Sequence, residues 1–300
     1  MLGRLFRSFF FGNYFYGCCV VALSLESSIQ QGIVTNSIFY YFSVFCSTVV
    51  YYTYAYQGQD LPIIMNERVL WYRIHSKQIR TSQLFLSCLL LISTFLFFTK
   101  LTIDWLDISF ITWISIFIFP IVAILYYGSE LTSGKHFNIR KYGWLKPFVI
   151  GFVWSGIVTV YPSIAATIEQ NSIFYFTLLK GLLFTKNFLF ISALCIMFDI
   201  KDYADDYNKQ LKTFVVRVGL RNTIFYVLSP ISILGLTMFL TYSMILNFTL
   251  WRILLNTIPF ALLLLVAYSM YQRKSILYYL TVIDGLMLVK ALCGILGMII

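Results

Sequence analysis

Asp199, Asp202 and Asp206 follow a long apolar run. If a helix continues through them they stand at i, i+3 and i+7, within roughly 20 to 60° of one another at 3.6 residues per turn. Three carboxylates on one face repel unless a cation holds them, and their hard oxygens suit Mg²⁺ that also binds phosphate oxygens. Lys209, Lys212, Arg217 and Arg221 come next in the chain, the donors that a site neutralising a diphosphate needs. The same residues also read as a solvated helix end whose acids and bases pair with one another. Spacing leaves both readings open.

A second basic stretch holds Arg68, Arg73, His75, Lys77 and Arg80. Its cations could grip a diphosphate, or fix topology and contact lipid headgroups. Lys180, Lys186, Asn187, Asp284 and Lys290 lie inside apolar sequence, where a bare charge costs at least about 2.5 kcal/mol. They must face a polar cavity or each other. Lys186 and Asn187 are candidates for the wall of a substrate chamber; the alternative is an ion pair between helices, for example Asp284 with Lys180 or Lys186. Pro147, Trp154 and Pro162 read as residues that kink and pack their helix.

The elements that position these groups are membrane helices. Six residues in ten are apolar and only 11% are charged, and the mean hydropathy is +0.82, values outside the range of water-soluble chains. Stretches of roughly 20 apolar residues, enough to cross about 30 Å of hydrocarbon, recur along the chain. They lie near 9–29, 37–56, 83–98, 108–127, 148–168, 172–198, 222–246, 251–271 and 276–299. The fold class is therefore all-α, a polytopic bundle of about nine spans in a single domain over 1–300. Taken as nine crossings, one set of loops carries seventeen of the twenty-two Lys and Arg residues and the other only Lys100 and Arg252. The positive-inside rule then puts the N-terminus and the motif loops in the cytoplasm, most simply at a plasma membrane. That asymmetry also accounts for the net charge of +10 without a nucleic-acid partner. The first apolar run has no small-residue cleavage site and reads as a retained helix. The six cysteines form no CxxC pair and read as small buried residues.

The segment from Asp199 to Gly219 resembles the second aspartate-rich motif of the UbiA superfamily of intramembrane prenyltransferases. Asp199, Asp202, Asp206, Thr213, Val216, Arg217 and Gly219 match without a gap, and Gln210 stands where that family usually has glycine. The family's first motif is mostly missing. Its Asn66-x-Arg68 end is present, but its three aspartates would fall at Tyr56, Gln59 and Ile63, and only Asp60 lies nearby, one residue out of register. A second Mg²⁺ site is not carried over.

The resemblance implies a helical bundle around a lipid-accessible cavity, with an isoprenyl diphosphate and a prenyl acceptor as partners. It implies Asp199, Asp202 and Asp206 as Mg²⁺ ligands, Arg68, Lys209, Lys212 and Arg217 as diphosphate contacts, and Asn66, Lys186 and Asn187 at the cavity. A non-catalytic lipid-binding or scaffold descendant, and a secondary transporter using the buried charges, are the alternatives.

Overall fold

A chain that crosses hydrocarbon must satisfy its own backbone N–H and C=O groups, and this one does so as helices. The structure, a computed structural model, describes residues 2–57, 67–99, 108–128, 143–208, 212–272 and 274–300; all regular structure among them is helical. In chain order the helices are α1 (Leu2–Phe11), α2 (Tyr14–Gln30), α3 (Ile38–Gln57), the short α4 (Glu67–Ile74), α5 (Ser76–Thr99) and α6 (Phe110–Gly128). Next come α7 (Lys146–Glu169), α8 (Leu178–Lys201), and the short α9 (Tyr203–Asn208) and α10 (Phe214–Val218). The chain ends with α11 (Leu220–Ile245), α12 (Leu250–Ser269) and α13 (Ile276–Ile299).

A helix stands at each of the nine apolar runs. Among the described residues, six are long and apolar enough to cross a membrane: α5, α7, α8, α11, α12 and α13. The pair Leu5–Phe11 and Tyr14–Gln30 makes a seventh if taken as one span bent by 64°. Six tyrosines lower the hydropathy of α3, and the apolar part of α6 is Phe110–Tyr126.

Three boundaries differ from expectation; one is the run expected from 172, which becomes helix only at Leu178. The run expected from residue 9 is broken at Gly12 and Asn13, where Asn13 adopts a left-handed backbone (φ 65°), a conformation that asparagine tolerates better than most residues. The run expected from 83 already starts as helix at Ser76, because its polar first two turns stay helical ahead of the apolar stretch. Elsewhere the ends follow local chemistry. Thr177 and Ser275 cap α8 and α13 by accepting from the backbone N–H of Lys180 and Tyr278. Left-handed Asn171 and Asn247 follow α7 and α11.

Burial orders the bundle. In the apolar windows of α7 and α8, 61% of residues are buried, against 11% in α5, so α7 and α8 form the centre while α5 turns Leu84, Phe85, Leu91 and Phe95 outward, as lipid contact requires. Three spans contain a π-turn: Gly156–Val160 in α7, Thr223–Leu228 in α11 and Tyr279–Ile283 in α13. The first two precede Pro162 and Pro230, whose missing N–H disturbs the i to i−4 ladder and favours such a widening.

A charged network is buried among α2, α8, α12 and α13. Lys186 Nζ donates to Glu26 Oε1 at 3.1 Å and to Gln30 Oε1 at 2.8 Å, and Lys290 Nζ donates to Glu26 Oε2 at 2.5 Å. Gln30 Nε2 in turn donates to Glu26 Oε1 at 3.0 Å and to Asn256 Oδ1 at 2.8 Å. Lys186, Lys290 and Glu26 are all at most 3% exposed, so the charges are compensated within the protein, not by solvent. Of the two readings of Lys186, the structure shows the ion pair between helices, with Glu26 and not Asp284 as its acid.

Candidate functional site

Away from that network, α2, α3, α4, α7, α8 and α13 line a partly open cavity of about 210 Å³. Arg68 of α4, Lys146 of α7, and Lys201 and Asp202 at the end of α8 give it a charged rim, and Asp284 of α13 adds a second carboxylate. Ile150, Ile191, Leu194, Phe198, Leu280 and Met287 supply apolar wall. The remaining side is aromatic: Tyr16 and Tyr52 stack with centroids 4.9 Å apart, and Trp154 meets both edge-on, donating its indole N–H to the Tyr52 hydroxyl at 2.6 Å. Trp154 therefore borders the cavity as well as packing α7.

Arg68 is held by the bend between α1 and α2. Its Nη2 donates to the Phe11 carbonyl at 3.2 Å and to Asn13 Oδ1. Asn13 Nδ2 donates to Thr53 and to the Tyr72 hydroxyl, both at 3.0 Å. The left-handed Asn13 is thus the joint that ties α3 and α4 to the N-terminal helices and fixes a cavity cation.

The acidic motif does not lie on one uninterrupted helix. Helix α8 ends at Lys201, Asp202 leaves helical geometry (φ −91°, ψ 6°), and α9 begins at Tyr203. Asp199 is fully buried and accepts from Lys146 Nζ at 3.0 Å. Asp202 lies on the cavity wall, 2.5 Å from Lys201 Nζ. Asp206 is buried one turn on, its N–H donating to the Asp202 carbonyl at 2.8 Å.

Several expected contacts fall elsewhere. Lys212 and Arg217 are exposed and do not line the cavity. Helix α10 turns Val215 inward and sets Phe214 against Phe148 of α7, which leaves Arg217 outside. Lys186 and Asn187 do not line it either: Lys186 belongs to the Glu26 network, and Asn187 Nδ2 donates to Thr159 at 2.8 Å and Ser27 at 3.3 Å. Asn66 and Lys209 lie outside the described residues. In place of Lys212 and Arg217, the cavity receives Lys146 and Lys201, which the sequence presented only as loop charges. Glu26 was also missed, although a lone acid inside the first apolar run was a readable signal.

The Mg²⁺ implied by the resemblance finds no ready ligand set here. Among the described residues no three His, Cys, Asp or Glu side chains converge as a metal would require, and Asp199 and Asp202 each face a lysine at salt-bridge distance. The positive charge at the cavity is carried by side chains: Arg68, Lys146 and Lys201 stand against Asp202 and Asp284 on its wall.

No family model and no curated protein matches the chain. Its structure is similar to a solved structure of a digeranylgeranylglyceryl phosphate synthase studied in membranes. The TM-score is 0.55 with 15% identity, and the likeness covers 97% of this chain and 98% of that one. Over nearly its whole length the chain has the fold of that membrane enzyme.

Proposed function

We propose that this protein is a UbiA-type intramembrane prenyltransferase, one domain of nine crossings with a cytoplasmic N-terminus and the charged rim of the cavity facing the cytoplasm of a plasma membrane. The observation that carries the reading is the cavity itself. Three cations, Arg68, Lys146 and Lys201, meet an apolar and aromatic wall in one partly open cavity, the pairing that a molecule with a diphosphate head and an isoprenoid tail requires. In a site shielded from bulk water these cations stabilise the diphosphate as it leaves. The faces of Tyr16, Tyr52 and Trp154 offer cation–π attraction to the allylic cation that remains. An acceptor then captures that cation.

The test is binding of farnesyl thiodiphosphate to the detergent-purified protein, in wild type, Lys146→Met and Lys201→Met. Saturable binding that each substitution weakens by tenfold or more supports the reading, and folded wild type that does not bind overturns it. Arms with Mg²⁺ and with a chelator read how much affinity a divalent ion adds to that of the lysines. The engagement of Asp199 and Asp202 by lysines favours a second reading, a lipid-diphosphate binder without transferase activity. That protein would bind the thiodiphosphate yet release no diphosphate from farnesyl diphosphate.

A further inference from the structure

Asp284 is unlike the other intramembrane charges. Glu26, Lys186 and Lys290 satisfy one another, whereas no ion pair holds Asp284 among the described residues. It is 3% exposed, its Oδ2 has no hydrogen-bond partner, and it lines the cavity. Tyr16, Arg68 and Lys201 are the neighbours whose polarity and charge act on the carboxylate.

Its placement comes from the backbone. The π-turn Tyr279–Ile283 ends at Asp284, whose N–H donates to the Tyr279 carbonyl five residues back at 3.2 Å. A widened turn of this kind re-aims the residue after it and is frequent at functional sites. A buried carboxylate oxygen without a donor is costly unless a ligand supplies one.

We propose that Asp284 is the proton acceptor for the second substrate, and that this substrate presents a neutral hydroxyl group; the inference rests on the prenyl-transfer reading. A carboxylate lone pair calls for a hydrogen-bond donor, and an alcohol and an ammonium group both qualify. The cations Arg68, Lys146 and Lys201 on the same wall disfavour the ammonium group by like-charge repulsion. The alcohol oxygen forms a bond to the allylic C1 of the donor. The bond from C1 to the diphosphate oxygen breaks, its electron pair leaving with the diphosphate, and the hydroxyl proton passes to the Asp284 carboxylate.

The experiment pairs farnesyl diphosphate with three hydroxyl probes in detergent micelles: a long-chain primary alcohol, a monoalkylglycerol and an alkylphenol. Each is matched by its O-methyl ether. Product is expected from at least one hydroxyl probe and from no ether. Asp284→Asn is expected to lower turnover about a hundredfold, the low end for loss of a general base, while farnesyl thiodiphosphate affinity changes less than twofold. Should Asp284→Asn not fold, Asp284→Glu against Asp284→Gln compares carboxylate with carboxamide at equal length, and only the glutamate is expected to turn over. Asp284→Asn at the wild-type rate, equal rates for the Glu and Gln forms, or a wild type that binds the thiodiphosphate and prenylates none of the hydroxyl probes overturns the proposal. Wild type that does not bind the thiodiphosphate removes the reading beneath it, and the proposal with it.

Discussion

Lys146 Nζ stands 3.0 Å from Asp199 Oδ1, joining the first residue of α7 to the buried carboxylate near the end of α8. The lysine is partly exposed at 32%, while the aspartate is fully buried. The pair therefore runs from a lysine on the cavity wall to a carboxylate inside the protein.

Removing one member should expose that asymmetry. Lys146→Met leaves Asp199 buried without its cation and is expected to destabilise by about 3 kcal/mol, within the range for a broken buried pair. Lys146→Met with Asp199→Asn should recover more than half of the loss. Unfolding of the detergent-solubilised single and double variants measures the coupling, and strict additivity would show that the pair contributes nothing.

The Glu26 network should respond in an ordered way. Glu26→Gln leaves two lysines facing each other, whereas Lys186→Met leaves the neutral pair of Glu26 and Lys290. Glu26→Gln is therefore expected to lower the apparent Tm more than either lysine substitution, with a loss of about 3 to 5 kcal/mol. Equal Tm values for the three variants would contradict the geometry.

At Asn13 the backbone and the side chain can be separated. Asn13→Gly keeps the left-handed turn accessible and loses the amide, while Asn13→Ala loses the amide and strains the turn by a further 1 to 2 kcal/mol or so. Glycine should be the milder change in thermal unfolding. Both should weaken thiodiphosphate binding, because Arg68 loses one of its anchors.

Gly151 controls the approach of the two central helices. A Cβ there would lie 2.2 Å from Ser192 Oγ and 3.0 Å from the Phe188 carbonyl of α8. The hydroxyl can rotate but the carbonyl cannot, so Gly151→Ala should cost about 1 to 3 kcal/mol. An unchanged unfolding transition would mean that α7 and α8 are not packed this closely.

Topology is checked by labelling. Single cysteines at Ser76 and Asn171, in an otherwise cysteine-free chain, are expected to react with an impermeant maleimide from opposite faces, with Ser76 protected in intact cells. Labelling of both from one face would remove the nine-crossing arrangement.

Sequence made the helices legible because hydrocarbon demands long apolar runs, and each expected run holds a helix. Arg68 was legible as well, since the Asn66-x-Arg68 pattern singled it out, and it does line the cavity. What stayed hidden depends on which helices touch. Lys186 finds Glu26 from 160 positions away and Lys146 finds Asp199 across 53, and no local spacing encodes either meeting. The common face of Asp199, Asp202 and Asp206 assumed an unbroken helix, whereas the backbone turns out of register at Asp202. Asp284 was visible as an intramembrane charge, but its exposure to the cavity follows from a local widening of α13 that hydropathy does not register.

That widening gives α13 one residue more than its axial length needs. Upstream of it stands the cavity wall at Ile276; downstream stand Asp284 on the same wall and Lys290, held by Glu26. Deleting a single residue from Tyr279–Ile283 would rewind the turn and rotate one half of the helix against the other by about 100°. Either Ile276 would turn away from the chamber, or Asp284 and Lys290 would together leave the chamber and Glu26. The two ends of this span are therefore phased by one codon, and descendants of this chain can shorten or lengthen it there only by giving up the wall packing of its first half or both charges of its second.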